Sequence, residues 1–521
     1  MPTMDEFVAD RILDDPLVTD TGIPGTLDLK LVGSMYATLI ADRANHFDES
    51  LAYYLGDQLL PYAPQDTTDQ IRDLQQRSIT NWMPLLVGLP VQVSYVDGYR
   101  RGAYGLGGEE TPAPSAKDLK AGKDPKRFSP EYACWQRNRM DSRQSTLYKA
   151  SLMYGQSFAH VNNLPTNRRG DVKIEVLATR HTVAFFEDPI NDIRPKIVLT
   201  IKSYPRDDEN PGLAILWDDV NRYELNFTDK QEFTQKNDPI PHGLDGCPVV
   251  RYTNGAPDDE GRALGIINQT MIALQNRVNQ TAFSTNVTLD FGAFKVRTAA
   301  GLQLMYKVDP VTGEPLLDAA GNPIPEPIRV SQAKMLISEN PDTKFDQLDE
   351  TPVAGYLAAE DQATKNLAAV AQFPLHALMG NVSNLSAEAL NALETQFMRQ
   401  LQSLQTSWGE SHEELFRLVA EALGDTAGAN AFGGEVRWRD MSSKAFAATM
   451  DGLGKAADML DVPKRGLWAM IPGMSSGDLQ DLEALHELEV DDAIFNQNDP
   501  QSAAAREQRP VKGATPSANT A

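Results

Sequence analysis

From Pro374 to Gly424 the chain reads PLHALMGNVSNLSAEALNALETQFMRQLQSLQTSWGESHEELFRLVAEALG. A short Pro/Gly/Asn loop feeds a long run in which Leu390, Leu393, Phe397, Leu401, Leu404 and Trp408, then Leu415, Leu418 and Val419, recur mostly three or four residues apart. That period is one face of an α-helix and excludes a strand. Some 35 helical residues at ~1.5 Å each would run about 50 Å, longer than one small core requires, so the helix reads as a spine shared between domains or subunits.

A chain of 521 residues is too long for one core and implies several domains. It shows no run of about 18 uncharged apolar residues, and its first segment, MPTMDEFVADRILDD, is acidic where a signal peptide is basic and then apolar. The expectation is an intracellular or packaged protein without a membrane partner. Only Cys134 and Cys247 are present, far apart, so neither a disulfide framework nor a CxxC metal site is expected. The formal charge of −24 argues against a protein whose main task is gripping nucleic acid, which needs Lys and Arg on the phosphates. A like-charged wall still suits DNA that must slide without sticking.

Along the chain, residues 5–60 read as helical and close at Gly56, a candidate C-cap, and a second helix is expected over about 67–87. Val91–Val96 alternates like a half-buried strand, and Gly98–Lys126 reads as a Gly-rich surface loop. A helix is expected from Pro130 to Tyr154, ending at Gly155. The period then switches to two over Ser157–Asn162, Val172–Leu177, Val183–Phe186, Pro195–Tyr204, Ala214–Trp217, Tyr223–Phe227 and Val249–Tyr252. This first part is therefore α+β.

From Gly261 to Asn286 a helix returns in which Arg277 is the one charged residue between Ala263 and Leu289. A solvated helix carries more charge, so this one is expected to pack against neighbours over much of its circumference, in a bundle of repeated subunits for example. Strand signals follow at Leu302–Val308 and Ile328–Ile337. Between them Pro310, Pro315, Pro323, Pro325 and Pro327 exclude a central strand or helix and imply an exposed loop or hairpin tip. Thr351-Pro352 opens a further helix that Pro374 stops. Beyond the spine come a Gly/Ala-rich turn, a strand at Glu435–Arg439, small helices near Ser443–Leu460, Lys464–Met470 and Asp478–Leu488, and a tail from Gln497 without periodicity.

Motifs for chemistry are scarce. No GxxxxGK[ST], HExxH, GxSxG or EF-hand loop occurs. His412-Glu413-Glu414 starts like a zinc motif but lacks the second His, Asp258-Asp259-Glu260 and Asp491-Asp492 read as solvated turns, and Gly105–Gly108 follows no strand. Trp408 and Phe397 read as core. Gly409 costs about 1 kcal/mol relative to Ala inside a helix, leaving a kink and simple tolerance both open. Arg100-Arg101 and Lys123–Arg127 are the notable basic clusters, read as parts of a solvated loop. No catalytic residue, cofactor or metal site is assigned, and an enzyme is not expected.

Several strings, in their order and spacing, resemble the portal proteins of tailed bacteriophages, in the siphophage-type family common among actinobacterial phages. They are Tyr53-Tyr54-Leu55-Gly56, Trp135-Gln136-Arg137-Asn138-Arg139-Met140-Asp141, Leu152 to Phe158, Gly246 to Asn254, Gly261 to Asn276, Phe345 to Leu348, Phe373 to Leu378 and Leu385 to Leu390. The resemblance implies a multidomain ring subunit: wing 1–260 (α+β), stem helix 261–286, small α/β clip 287–345, second stem helix 346–372, tunnel loop 373–386, long spine helix of the wing 387–424, helical crown 425–495 and disordered tail 496–521. It implies a homo-oligomeric ring, usually of twelve subunits, at one capsid vertex, assembled in the host cytoplasm. Double-stranded DNA passes through the ring without sequence specificity during packaging and ejection. The implied partners are the terminase large subunit, the head-tail adaptor, and the major capsid and scaffolding proteins. His376, Met379, Asn381, Ser383 and Asn384 would be the DNA-facing residues of the tunnel loop, short and mostly uncharged side chains suited to sliding contact. The rival readings are another virion protein, a capsid or tail component, and a metal-dependent enzyme with dispersed carboxylates.

Overall fold

The structure is a computed structural model. It describes residues 27–64, 68–101, 129–163, 172–207, 209–293, 352–375, 387–439 and 446–460, residue 378, and shorter pieces between 297 and 347 and between 464 and 486. In chain order the helices are α1 (Leu29–Asp42), α2 (Asp48–Leu55), α3 (Asp69–Arg77), α4 (Met83–Val93), α5 (Pro130–Arg137), α6 (Met140–Tyr154), α7 (Gln269–Ala293), α8 (Ala354–Val370), α9 (Ala387–Ala422), α10 (Thr426–Ala429), α11 (Phe446–Met459) and α12 (Lys464–Trp468). The strands are β1 (Val96–Arg100), β2 (Gln156–Asn162), β3 (Lys173–Leu177), β4 (Thr182–Phe185), β5 (Ile197–Ser203), β6 (Gly212–Trp217), β7 (Asn221–Phe227), β8 (Phe233–Gln235), β9 (Ile240–Pro241), β10 (Val249–Thr253), β11 (Arg297–Ala300), β12 (Lys344–Gln347) and β13 (Glu435–Trp438). The chain divides into two compact units, one of residues 1–55, 82–269 and 371–521, the other of 56–81 and 270–370.

The first unit is an α+β body. Strands β4 to β8 form an antiparallel sheet in sequence order with β9 added on β7, and β10-β2-β3 form a second. Alternation sorts the larger sheet's side chains. Leu199, Leu216, Tyr223 and Leu225 face Val32, Met35 and Leu39 of α1, while Val198, Ile215 and Trp217 face Phe158, Leu177 and Val249. Burial on both faces explains why β6 is nearly all apolar.

Helix boundaries are set by local chemistry. The helix expected over 130–154 breaks at Asn138, whose amide donates to the Cys134 and Val172 carbonyls and accepts from Ile174 N–H; Arg139 then takes a left-handed φ of 55°. The helix expected over 67–87 is likewise two, α3 and α4. Val91 and Val93 belong to α4, contrary to the expected strand, and the strand begins at Val96. The reason is period: Met83, Leu86, Val87, Pro90 and Val91 form a buried helical stripe that outweighs a four-residue alternation. The helix expected from Gly261 begins at Gln269. Residues 261–268 instead clamp the end of α6: Ile266 N–H donates to the Leu152 carbonyl at 2.7 Å, and a Cβ on Gly265 would lie 2.3 Å from the Met153 oxygen.

The second unit shows why α7 lacks charge. Its polar face is covered by this same chain, not by a second copy as the sequence suggested. Asn279 Nδ2 donates to Gln58 Oε1 (2.7 Å) and its Oδ1 accepts from Thr80 N–H (3.1 Å). Gln275 reaches the Thr80 carbonyl and Asn279, and Asn286 donates to Ser78 Oγ (2.9 Å). Neutral amides satisfy backbone groups at a buried seam where a Lys or Glu would need a counter-charge. Among the described residues of 306–324, the Pro-rich segment folds into short hairpins. Leu316 N–H donates to the Lys307 carbonyl, Ile324 N–H to Leu316, and Lys307 N–H to Ile324, closing a ring of three backbone strands. Pro315 and Pro323 occupy positions between those donors, where no N–H is required.

Candidate functional site

The spine expected from the sequence is α9, 36 residues long. Phe397, Leu401, Leu404, Trp408, Leu415, Leu418 and Val419 are all buried. The apolar count missed Ser411, His412 and Phe416 on the same face. His412 is wholly buried between two phenols, its Nε2 2.7 Å from the Tyr148 hydroxyl and its Nδ1 2.9 Å from that of Tyr252. The Trp135 ring meets it edge-on at 5.1 Å, and Tyr148 stacks on Trp408 at 4.4 Å. Burial pushes the imidazole down to about 3, so it is the neutral hub of an aromatic core. Its helical spacing from Trp408 and Leu415 was the available signal. No group of three or more metal-ligating side chains occurs among the described residues.

The other singled-out residues find structural partners. Arg101 pairs with buried Glu131 and, at 2.6 Å, with Asp425, the N-cap of α10; Arg100 pairs with Glu435 at 2.7 Å. This basic pair therefore closes ion pairs within the chain, and the solvated-loop reading of Arg100-Arg101 is corrected. Lys123–Arg127 lies outside the described residues, as do Gly105–Gly108 and Asp491-Asp492. Asp258 holds Arg262 at 2.9 Å within a turn. Cys134 and Cys247 are free and buried, and burial pushes the Cys247 thiol up, out of reach of ionisation at neutral pH. At Gly409 a Cβ would meet Trp438 only at 3.8 Å, and α9 runs through without interruption, which favours tolerance.

The five tunnel-loop residues, His376, Met379, Asn381, Ser383 and Asn384, lie outside the described residues. The loop's root is described. Gln372 takes a left-handed φ of 54°, and Phe373 is buried with its ring edge-on to Phe397 of α9 at 5.7 Å. Leu378 is buried as well. Both ends of the segment are thus tied to the spine.

The model of the phage portal protein family, SPP1 Gp6-like, matches residues 42–492. The chain belongs to that family. The portal protein of Mycobacterium phage D29 is 26% identical over 218 residues, and that of Mycobacterium phage L5 is 25% identical over 219 residues. These matches cover 41% and 42% of this chain and 43% of each relative, so they span less than half the length of the curated relatives. Among solved structures, a chain from the virion of a native gene transfer agent particle aligns with 80% of this portal-family chain and 99% of its own length, at 11% identity and a TM-score of 0.38. A chain from the neck of the empty particle aligns with 81% and 98%, at 12% identity and a TM-score of 0.38.

Proposed function

We propose that this chain is the repeating subunit of a ring-shaped channel at one capsid vertex, through which double-stranded DNA is packaged and ejected without sequence readout. The observation that carries the reading is the portal-family match running from residue 42 to 492, through both compact units and the spine helix. The excess of 72 carboxylates over 48 basic residues supports a wall that repels phosphate and so does not bind it. The role is passive: the chain shapes the conduit, and ATP is hydrolysed by the terminase that docks on it before the head-tail adaptor.

Within this reading residues 1–260 form the wing, 261–286 and 346–372 the stem, 287–345 the clip, 387–424 the spine and 425–495 the crown. Residues 373–386 form a tunnel loop whose root is pinned by Phe373 on Phe397. Electron microscopy of the purified protein should show closed rings with a central channel. A protein that stays monomeric in every assembly condition and is missing from the virion vertex overturns the reading. Deleting Met379–Asn384 should lower DNA packaging more than ring assembly, and equal losses remove the loop assignment.

A further inference from the structure

The amides that seat residues 57–80 on α7 also decide what that segment shows to water. Tyr62 N–H donates to Gln280 Oε1 at 2.7 Å, and the Pro61 carbonyl accepts from Gln75 Nε2 at 2.6 Å. With the main chain held this way, Leu59, Leu60 and Tyr62 stand 67%, 49% and 79% exposed. They cannot fold back onto their own support, because the polar groups beneath them are already engaged. The burial that charge-poor α7 demanded has been passed outward to a second apolar layer. In the same unit, α8 leaves Tyr356 and Leu357 37% and 51% exposed near its first turn.

Charge selects the occupant. Two copies of a chain carrying −24 repel each other and approach closely only where charges are scarce. Both patches meet that condition: Asp57 is the one charged residue from Gly56 to Pro64, and there is none from Pro352 to Ala359. We propose that the Leu59-Leu60-Tyr62 ledge of one copy docks on the Tyr356-Leu357 end of α8 in a second copy. The two surfaces differ, so the contact is head-to-tail and propagates into a ring when its rotation closes. Burying such side chains is the main favourable term at an interface of this kind. The inference rests on the portal reading and names which surfaces join its subunits.

The test uses two variants of the full chain, the double substitution Leu59→Glu with Tyr62→Asp, and separately Leu357→Glu, followed by analytical ultracentrifugation and electron microscopy. Each should abolish rings and leave monomers with the circular dichroism and thermal midpoint of unassembled wild type, because the substituted side chains are exposed. An equimolar mixture should give dimers and nothing larger, since each pair keeps one intact ledge and one intact α8 end. Rings from either variant at wild-type concentration, or no dimers on mixing, overturn the proposal while leaving the portal reading in place; a wild type that never assembles overturns the portal reading itself. If a charged variant misfolds, Leu59→Ser with Tyr62→Ser should raise the concentration for half-assembly about tenfold. An unchanged midpoint in that folded variant overturns the docking proposal.

Discussion

Trp408 on α9 and Asn279 on α7 both face the interior, yet opposite chemistry holds the regions around them. Around Trp408 the first unit is closed by aromatic packing, with Tyr148, Trp135 and Phe416 joined through neutral His412. Around Asn279 the second unit is closed by an amide lattice against the backbone of its own residues 58–80. An apolar core tolerates strangers poorly and completes itself within one chain. A lattice of neutral amides satisfies a polar seam and leaves apolar side chains on its far side for another surface to cover. The difference separates a region built for self-sufficiency from one built to be shared.

The largest expected effect comes from Trp408→Ala, which should cost about 3–5 kcal/mol through lost burial and a residual cavity, read by denaturant unfolding of the unassembled chain. Asn279→Ala should cost about 1–3 kcal/mol, because Thr80 N–H and the Gln58 amide lose a buried partner. If the second loss equals the first, the contrast between the two regions fails.

A smaller effect sets neighbours on α9 against each other. His412 sits at about 3 when folded against an ordinary 6.5, so the unfolded chain binds the extra proton between those values and stability falls as pH drops through that window. Glu413 is raised to about 7 from 4.5 by burial and then by Glu410, so the folded chain holds the extra proton and stability falls as pH rises from 4.5 to 7. Glu413→Gln should therefore exceed wild type by about 1 kcal/mol at pH 8, match it near pH 5, and expose the uncompensated histidine slope. A variant that tracks wild type at both pH values refutes this opposition. The smallest effect is expected from Gln280→Ala, about 0.5–1 kcal/mol in the monomer, since Tyr62 N–H is exposed and water can replace the lost partner. Its larger consequence should be weaker ring assembly, measured as a rise in the concentration for half-assembly.

Much of this was legible in the chain. Every large apolar residue of the spine from Phe397 onward with a described environment is buried, because a 3.6-residue period sustained over 36 residues admits one solution. The strands from Gln156 to Thr253 followed from their alternation for the same reason. Where two periods competed over a few residues, as at Val91–Val96, the sequence reading erred. Side-chain seams were beyond it: Asn138 as helix terminator, Arg101 as a double ion-pair node and His412 as a core hub each depend on partners tens to hundreds of residues away.

The sequence by itself determined the α+β class, the long spine and the need to cover a charge-poor helix, since each is a property of period and composition over a continuous run. Only the tertiary structure decided that residues 58–80 provide that cover, that Gly265 and Ile266 delay α7 until Gln269, and that Leu59, Leu60 and Tyr62 end up facing outward. Those outcomes follow from which polar groups satisfy which, and local patterning carries no record of a hydrogen-bond partner 200 residues away.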